Sequence, residues 1–411
     1  MFRYPLSNIV KYAIENPSSI REIMSIVTEY RMHPEKFPRK LLYLGGGWPQ
    51  DPPPNIIRKT VLSIVENPKY FNEITRYGTT KGEPEFIQKI IEYEKYIFDR
   101  NISEEEVIVG LGSTELTAAI IKSILDKDSE VILTRPYYLN YRRQILLENG
   151  LGTRIKYWNI ISNNRFNPLL DQLQDLINNS TRLIILTIPG NPDGQIFDEK
   201  TLSGIIDIAE EKSIWVLIDV AYRTFCFEKY PKYFFRSPRE NEIWMCSLSK
   251  EFRIPGWRIA YIVANENLIE GLVALEQARI LCPSRLVQAI LAKLFEKKEN
   301  LRIMKDFHEQ SRLKYSRIAS KTIDILKEKL PKIDIIRPMG GFYVFFNIEK
   351  YMDDSRKACN DLLNKWQVAL APGTDFGMKS YIRLSFAPVI ETPEVIFEAI
   401  DRMEKYFNEM V

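Results

Sequence analysis

Residues 242–258 read Glu242-Ile243-Trp244-Met245-Cys246-Ser247-Leu248-Ser249-Lys250-Glu251-Phe252-Arg253-Ile254-Pro255-Gly256-Trp257-Arg258. The run from Ile243 to Cys246 has the apolar, unalternating pattern of a buried strand, and Ser247, Ser249 and Lys250 fall where that strand ends. A lysine in such a place can form a Schiff base with an aldehyde. Flanking hydroxyls, with the guanidinium of Arg258, can hold a phosphate beside it. Taken alone, Lys250 reads as a solvated surface residue; its surroundings in the rest of the chain change that reading.

Outward from this stretch, short apolar runs alternate with amphipathic helical patterns from about residue 55 to 290. Val107-Ile108-Val109 precedes a helix from Thr114, and Val131-Ile132-Leu133 precedes a turn at Pro136. Leu183 to Leu186 precedes Pro189-Gly190-Asn191-Pro192, and Trp215 to Ile218 precedes Asp219. Apolar strands separated by helices predict an α/β fold, a mostly parallel sheet covered by helices on both faces. Ligands of such sheets bind at the carboxyl ends of the strands, where every residue singled out in this region falls. A charged amphipathic pattern over 291–325 predicts one long helix leading into a smaller α+β domain, 291–411. That domain contains Phe342 to Phe346, a helix near 354–366, Ile382 to Ser385 and a last helix from about 392. Residues 1–54 are expected to form an N-terminal arm or part of the small domain, with helical pattern at 7–32 broken at Asn16-Pro17. The loop Gly45-Gly46-Gly47-Trp48-Pro49 to Pro54 allows backbone to approach a ligand.

Bulk composition narrows the classes. In 411 residues, 57 basic side chains nearly cancel 54 acidic ones, which argues against a nucleic-acid footprint or a polybasic membrane surface. No apolar run approaches the ~20 residues a membrane span needs, and no secretory signal pattern is seen, so the expected location is the cytoplasm. Cys226, Cys246, Cys282 and Cys359 lie far apart and read as reduced, mostly buried thiols. Two histidines, His33 and His308, leave no basis for an imidazole metal site or a Ser-His-Asp triad. His308, in a charged helical stretch, is expected to be exposed.

Asp219 ends an apolar strand and Tyr222 follows it. The carboxylate could pair with a protonated pyridine nitrogen and the hydroxyl could reach a phenolic oxygen; in isolation Asp219 reads as a turn cap. Asn191 sits in a Pro-Gly-Asn-Pro-Asp-Gly turn that would fix the direction of its amide. Gly110-Leu111-Gly112-Ser113-Thr114-Glu115 joins a strand to a helix start, where backbone N–H groups and two hydroxyls suit an anion. Tyr138 could stack on a ring, and Tyr77, in a Gly-rich loop, could touch a phosphate; both also read as ordinary packing and loop residues. Arg383, inside the apolar strand Tyr381 to Ser385, must be paired if buried, by a structural carboxylate or by a substrate carboxylate gripped in bidentate fashion. These are the parts needed to hold pyridoxal 5'-phosphate and an amino acid together.

The set, in this order, resembles the class I/II aminotransferases, fold-type I pyridoxal-phosphate enzymes of the aspartate aminotransferase superfamily, from about Leu44 to Ser385. Beyond the segments above, the matching stretches include Gly340-Gly341-Phe342-Tyr343 and Pro372 to Gly377. The resemblance implies that Lys250 carries the Schiff base and moves the substrate proton, and that Asp219 pairs with the pyridine nitrogen. It implies that Tyr222 and Asn191 bond the phenolic oxygen and that Tyr138 stacks on the ring. Ser113, Thr114, Ser247, Ser249 and Arg258 would hold the phosphate, with Tyr77 reaching in from a partner subunit. Arg383, Asn191 and the Gly47 backbone would bind the substrate carboxylate. A homodimer with shared active sites follows, taking an amino acid and a 2-oxo acid, commonly 2-oxoglutarate. Asp193, Val220 and Trp48 depart from the usual Thr, Glu and acidic residue at their positions, and none removes a required group. The same constellation serves lyases, synthases, racemases and amino-acid oxidases. A DNA-binding regulator built on this fold would need a longer N-terminal segment, and a dead scaffold would not keep Lys250, Asp219, Tyr222, Arg258 and Arg383 together. Arg279 and Arg285 are candidates for a distal substrate carboxylate or, more simply, interface residues.

Overall fold

The computed structural model describes residues 4–17 and 19–409. Its centre is a seven-stranded sheet. In chain order the strands are β1 (Val107–Gly110), β2 (Glu130–Arg135), β3 (Arg154–Asn159), β4 (Thr181–Thr187), β5 (Trp215–Asp219), β6 (Glu242–Ser247) and β7 (Ala260–Ala264). In space they run β1-β7-β6-β5-β4-β2-β3. All pairs are parallel except those of β7, which is antiparallel to both neighbours.

Alternate residues of each strand enter opposite cores. Val107, Ile184, Val216, Trp244 and Tyr261 pack in one apolar cluster, while Ile108, Leu183, Leu217, Ile243 and Ile262 pack in another. Both faces are therefore covered, which is why the strands read as unbroken apolar runs rather than alternating ones. The antiparallel strand has a positional effect. Ala260 pairs with Ser247 on one side and Gly110 on the other, so β7 holds the ends of β1 and β6 level. Arg258 lies two residues before it.

A second, antiparallel sheet is formed by β8 (Asp334–Ile336), β9 (Tyr343–Asn347), β10 (Ala371–Pro372) and β11 (Tyr381–Ser385), in the order β8-β9-β11-β10. Helices Lys298–Lys329, Ser355–Trp366 and Glu394–Asn408 cover it, and Leu42 and Leu44 join their core. The short strand Leu42–Tyr43 pairs with Val368–Ala369, which brings the glycine loop at 45–47 to the ends of both sheets. Among the described residues, no helix is long and apolar enough to cross a membrane.

Two expectations fail. The single helix over 291–325 is instead Arg285–Phe295 followed by Lys298–Lys329, with Lys297 extended between them. The Asn300 side chain takes the Leu294 carbonyl at 2.9 Å, a local bond that competes with helix continuation. His308 is buried at 2% exposure, not exposed. It falls on the inward stripe of its helix with Met304, Ser311 and Tyr315 and lies over Phe252, ring centroids 5.8 Å apart. Charged neighbours in sequence lie on the other face of such a helix. Burial, then the nearby guanidinium of Arg253, pushes the imidazole down to about 3. The four cysteines are free.

Candidate active site

The ends of β1, β4, β5 and β6 open on a cavity of about 220 Å³. Gly47, Ser113, Thr114, Tyr138, Asn191, Asp219, Tyr222, Ser247, Ser249, Lys250, Arg258 and Arg383 all line it. Tyr77 does not; its side chain stands on the surface of this chain, 83% exposed.

At one end, helix Ser113–Ile124 begins immediately after β1, and its first N–H groups have no intrahelical acceptor. Gly112 precedes it at φ +93°, and a Cβ there would lie 2.5 Å from Nη2 of Arg258. A glycine is needed for both reasons. Ser113, Thr114, Ser247 and Arg258 thus surround one pole of the cavity. Glu115 in the first turn would oppose an anion, but burial and the neighbouring Glu276 carboxyl push its carboxyl up to about 8.

At the floor, Asp219 is the last residue of β5. Tyr141 donates its O–H to Oδ2 at 2.5 Å and the Ala221 N–H donates to Oδ1 at 2.9 Å. Burial raises the Asp219 carboxyl above the usual range, opposed by Tyr141, Ala221 and the charge of Lys250. No Lys, Arg or His among the described residues comes within 4.0 Å of it. Lys250 faces the same space from the short helical turn Leu248–Glu251. Burial, then the positive charge of Arg258, pushes its amine down to about 8, against the pull of Asp219. Near neutral pH a free amine is therefore accessible at small cost.

At the other pole a hydrogen-bond chain runs between the two sheets. Asn191 Nδ2 donates to the Tyr222 hydroxyl at 3.0 Å, and that hydroxyl shares a 3.1 Å bond with Tyr343. Arg383 Nη1 donates to Asn191 Oδ1 at 2.7 Å and Nη2 to the Gly45 carbonyl at 2.8 Å. The guanidinium lies 4.4 Å from the Tyr343 ring centroid and 4.7 Å from that of Phe376. It is 1% exposed, its Nε has no partner, and it forms no ion pair among the described residues. Gly47 lies beside it, and a Cβ there would meet the Tyr343 hydroxyl at 2.8 Å.

Residues 42–402 match the family described as aminotransferase class I and II. The chain belongs to that family. An aspartate aminotransferase of Pyrococcus horikoshii is 30% identical over 373 residues, 89% of this chain and 90% of that protein. Aromatic-amino-acid aminotransferase 2 of Thermococcus litoralis is 24% identical over 400 residues, 96% of each. The solved aspartate aminotransferase from Thermus thermophilus with maleate shares the fold, with a TM-score of 0.87 at 23% identity, covering 98% of this chain and 99% of that one. This transaminase depends on pyridoxal phosphate and works on amino and oxo acids.

The transaminase cavity fits that cofactor in its donor set. It has hydroxyls and a guanidinium at a helix start for a phosphate, an amine for an aldehyde, and a buried carboxylate without a cation for a charged ring nitrogen. Sequence reading missed three contributors. Tyr141, which orients Asp219, lies one helical turn after Tyr138. Thr187 ends β4 directly beside Asp219, so the strand-end rule would have found it. Tyr343 was quoted for resemblance only, and its hydroxyl proves to touch Tyr222. Arg279 and Arg285 are outside the cavity lining. Arg279 bonds Glu276 at 3.0 Å, and Arg285 bonds Glu83 at 3.1 Å. Asp193, beside Asn191, is buried with no partner for Oδ2, and burial pushes its carboxyl up to about 6.

Proposed function

We propose that Lys250 is the amine to which pyridoxal phosphate attaches and the base that moves the substrate proton. Three groups in one cavity carry this reading. They are a lysine amine at about 8, a carboxylate without a cation at Asp219, and a buried guanidinium without a carboxylate at Arg383. When bound, the cofactor supplies an electron sink that acidifies the Cα–H of an amino acid. Lys250, freed by the incoming amino group, takes that proton through Nζ. Asp219, held by Tyr141 and the Ala221 N–H, keeps a positive charge on the ring nitrogen. Ser113, Thr114, Ser247, Ser249 and Arg258 hold the phosphate, and Tyr138 covers the ring. Tyr222 and Asn191 bond the phenolic oxygen. Arg383, Asn191 and the Gly47 backbone take the substrate α-carboxylate, which satisfies the guanidinium that the protein itself leaves without a counter-charge.

The exposed Tyr77 supports a homodimer in which this side chain reaches the partner's phosphate site. The working acceptor is 2-oxoglutarate, the location cytoplasmic, and the units are an arm (1–54), a large cofactor domain (55–290) and a small domain (291–411). The test is a panel of amino donors against 2-oxoglutarate with Lys250→Ala as control. Equimolar oxo acid and new amino acid are expected from the wild type and none from the variant. Ammonia release, or undiminished transamination by Lys250→Ala, contradicts the reading. Sedimentation should give a dimer, and Tyr77→Phe should weaken cofactor binding without changing the fold.

A further inference from the structure

Behind the cavity lies a group of charged side chains that the proposed chemistry does not use. Arg223 directly follows Tyr222 in the chain, and Glu251 directly follows Lys250. In each pair the first residue lines the cavity and the second turns away from it into the core. Arg223 Nε donates to Glu251 Oε1 at 2.5 Å, and the Tyr93 hydroxyl donates to Glu251 Oε2 at 2.9 Å. Arg223 Nη1 donates to Glu94 Oε1 at 2.7 Å and Nη2 to the Tyr261 hydroxyl at 2.9 Å, while Arg100 lies 3.4 Å from Glu94. All six side chains are fully buried. Two arginines and two glutamates make the group neutral, so no net charge acts from behind the site.

Stability alone does not account for such a group. Apolar side chains of similar size often replace buried ion pairs without loss. What the pair provides is direction. Strands β5 and β6 are laddered only as far as Asp219 opposite Met245, with a last backbone bond from the Val220 N–H to the Met245 carbonyl. Past that point the two segments carry Tyr222 and Lys250 into the cavity. The turn bearing Lys250 is only four residues long and ends at Phe252. The Arg223 to Glu251 bond is the cross-link that continues where the ladder stops. The planar guanidinium gives Nε to Glu251, Nη1 to Glu94 and Nη2 to Tyr261, and donors fixed in one plane set the angle of that contact, whereas apolar contacts permit sliding.

We propose that Arg223 and Glu251 are positioning residues, whose buried pair locks the turn carrying Lys250 to the strand end carrying Asp219 and Tyr222. This rests on the reading of Lys250 as the attachment amine. The test is the double variant Arg223→Met with Glu251→Met, which removes one charge of each sign and leaves Arg100 with Glu94. In the holoenzyme kcat should fall about tenfold or more while KM for the amino donor stays within about threefold, the split expected when a reacting group is misplaced. In the cofactor-free protein, acetylation of the Lys250 amine against pH should have its midpoint near 8 in the wild type and move up toward the ordinary lysine range in the variant. Unchanged kcat and an unchanged amine midpoint in the folded double variant overturn the proposal. Borohydride reduction of the wild type separates the two ideas, because a label away from Lys250 defeats the reading beneath, not the clamp. Should the double variant not fold, Glu251→Gln and Glu251→Asp decide the matter. Gln keeps the length and an acceptor for Arg223 Nε and should keep most of kcat; Asp keeps the charge but falls one methylene short and should lose about tenfold. The reverse order overturns the proposal.

Discussion

Arg223 and Arg383 are hidden to the same degree, at 0% and 1% exposure, in opposite surroundings. Arg223, behind the large sheet, meets carboxylates of Glu94 at 2.7 Å and Glu251 at 2.5 Å. Arg383, in β11 of the small sheet, meets an amide oxygen, a backbone carbonyl and two aromatic faces. Removing a cation from water costs several kcal/mol. At Arg223 that cost is met within the resting protein. At Arg383 it is met only in part, and the proposed grip on a substrate carboxylate would complete the compensation. Burial of a charge therefore says little by itself; its partners distinguish a brace from a binding group.

This contrast can be broken by experiment. The largest effect is expected from Arg223→Met, which leaves the buried Glu251 without a cation and Glu94 with Arg100 alone. Chemical denaturation should show a loss of about 3–5 kcal/mol. Arg383→Met should leave stability unchanged or higher, but lower kcat/KM by about 30- to 5,000-fold, the cost of about 2–5 kcal/mol for removing one partner of a buried charge pair. Arg383→Lys should restore little of this, because an ammonium cannot reproduce the planar fork. If Arg383→Met destabilises as much as Arg223→Met, the contrast is wrong.

Asp193 extends the comparison to an acid with no cation near it. Its carboxyl rises from 3.8 to about 6 on burial, so folding favours its protonated form. Stability from this group is full below 3.8 and is lost as pH rises through about 6. Asp193→Asn should accordingly stabilise the protein above pH 6 by about 3 kcal/mol, with the gain vanishing in acid. Equal gains at all pH values contradict this. The smallest effect is ligand protection. A non-reactive carboxylate analogue of the preferred amino donor, at about a hundred times its Kd, should stabilise the wild-type holoenzyme by ~2.7 kcal/mol and give Arg383→Met almost nothing.

The large sheet was legible because strands buried on both faces must be apolar throughout, and its binding edge followed from the strand-end rule. Lys250, Asp219, Asn191 and Ser113, which line the cavity, were singled out that way. Arg223 and Glu251 were not, since a charged residue beside a motif looks the same in sequence whether it faces water or a buried partner. His308 misled for a related reason: its charged neighbours lie on the outer face of the helix while it lies on the inner one. The break at Lys297 depended on a side chain bonding back across it, a competition that hydrophobic period does not record. Tyr141 escaped notice because its role is to orient Asp219 rather than to meet a ligand.

The proposed point of cofactor attachment, Lys250, can be tested directly. Holoenzyme reduced with borohydride and digested should yield one peptide bearing the pyridoxyl mass, and fragmentation should put that mass on Lys250. A modification on another lysine, or a peptide around residue 250 that is unmodified after full reduction, contradicts it.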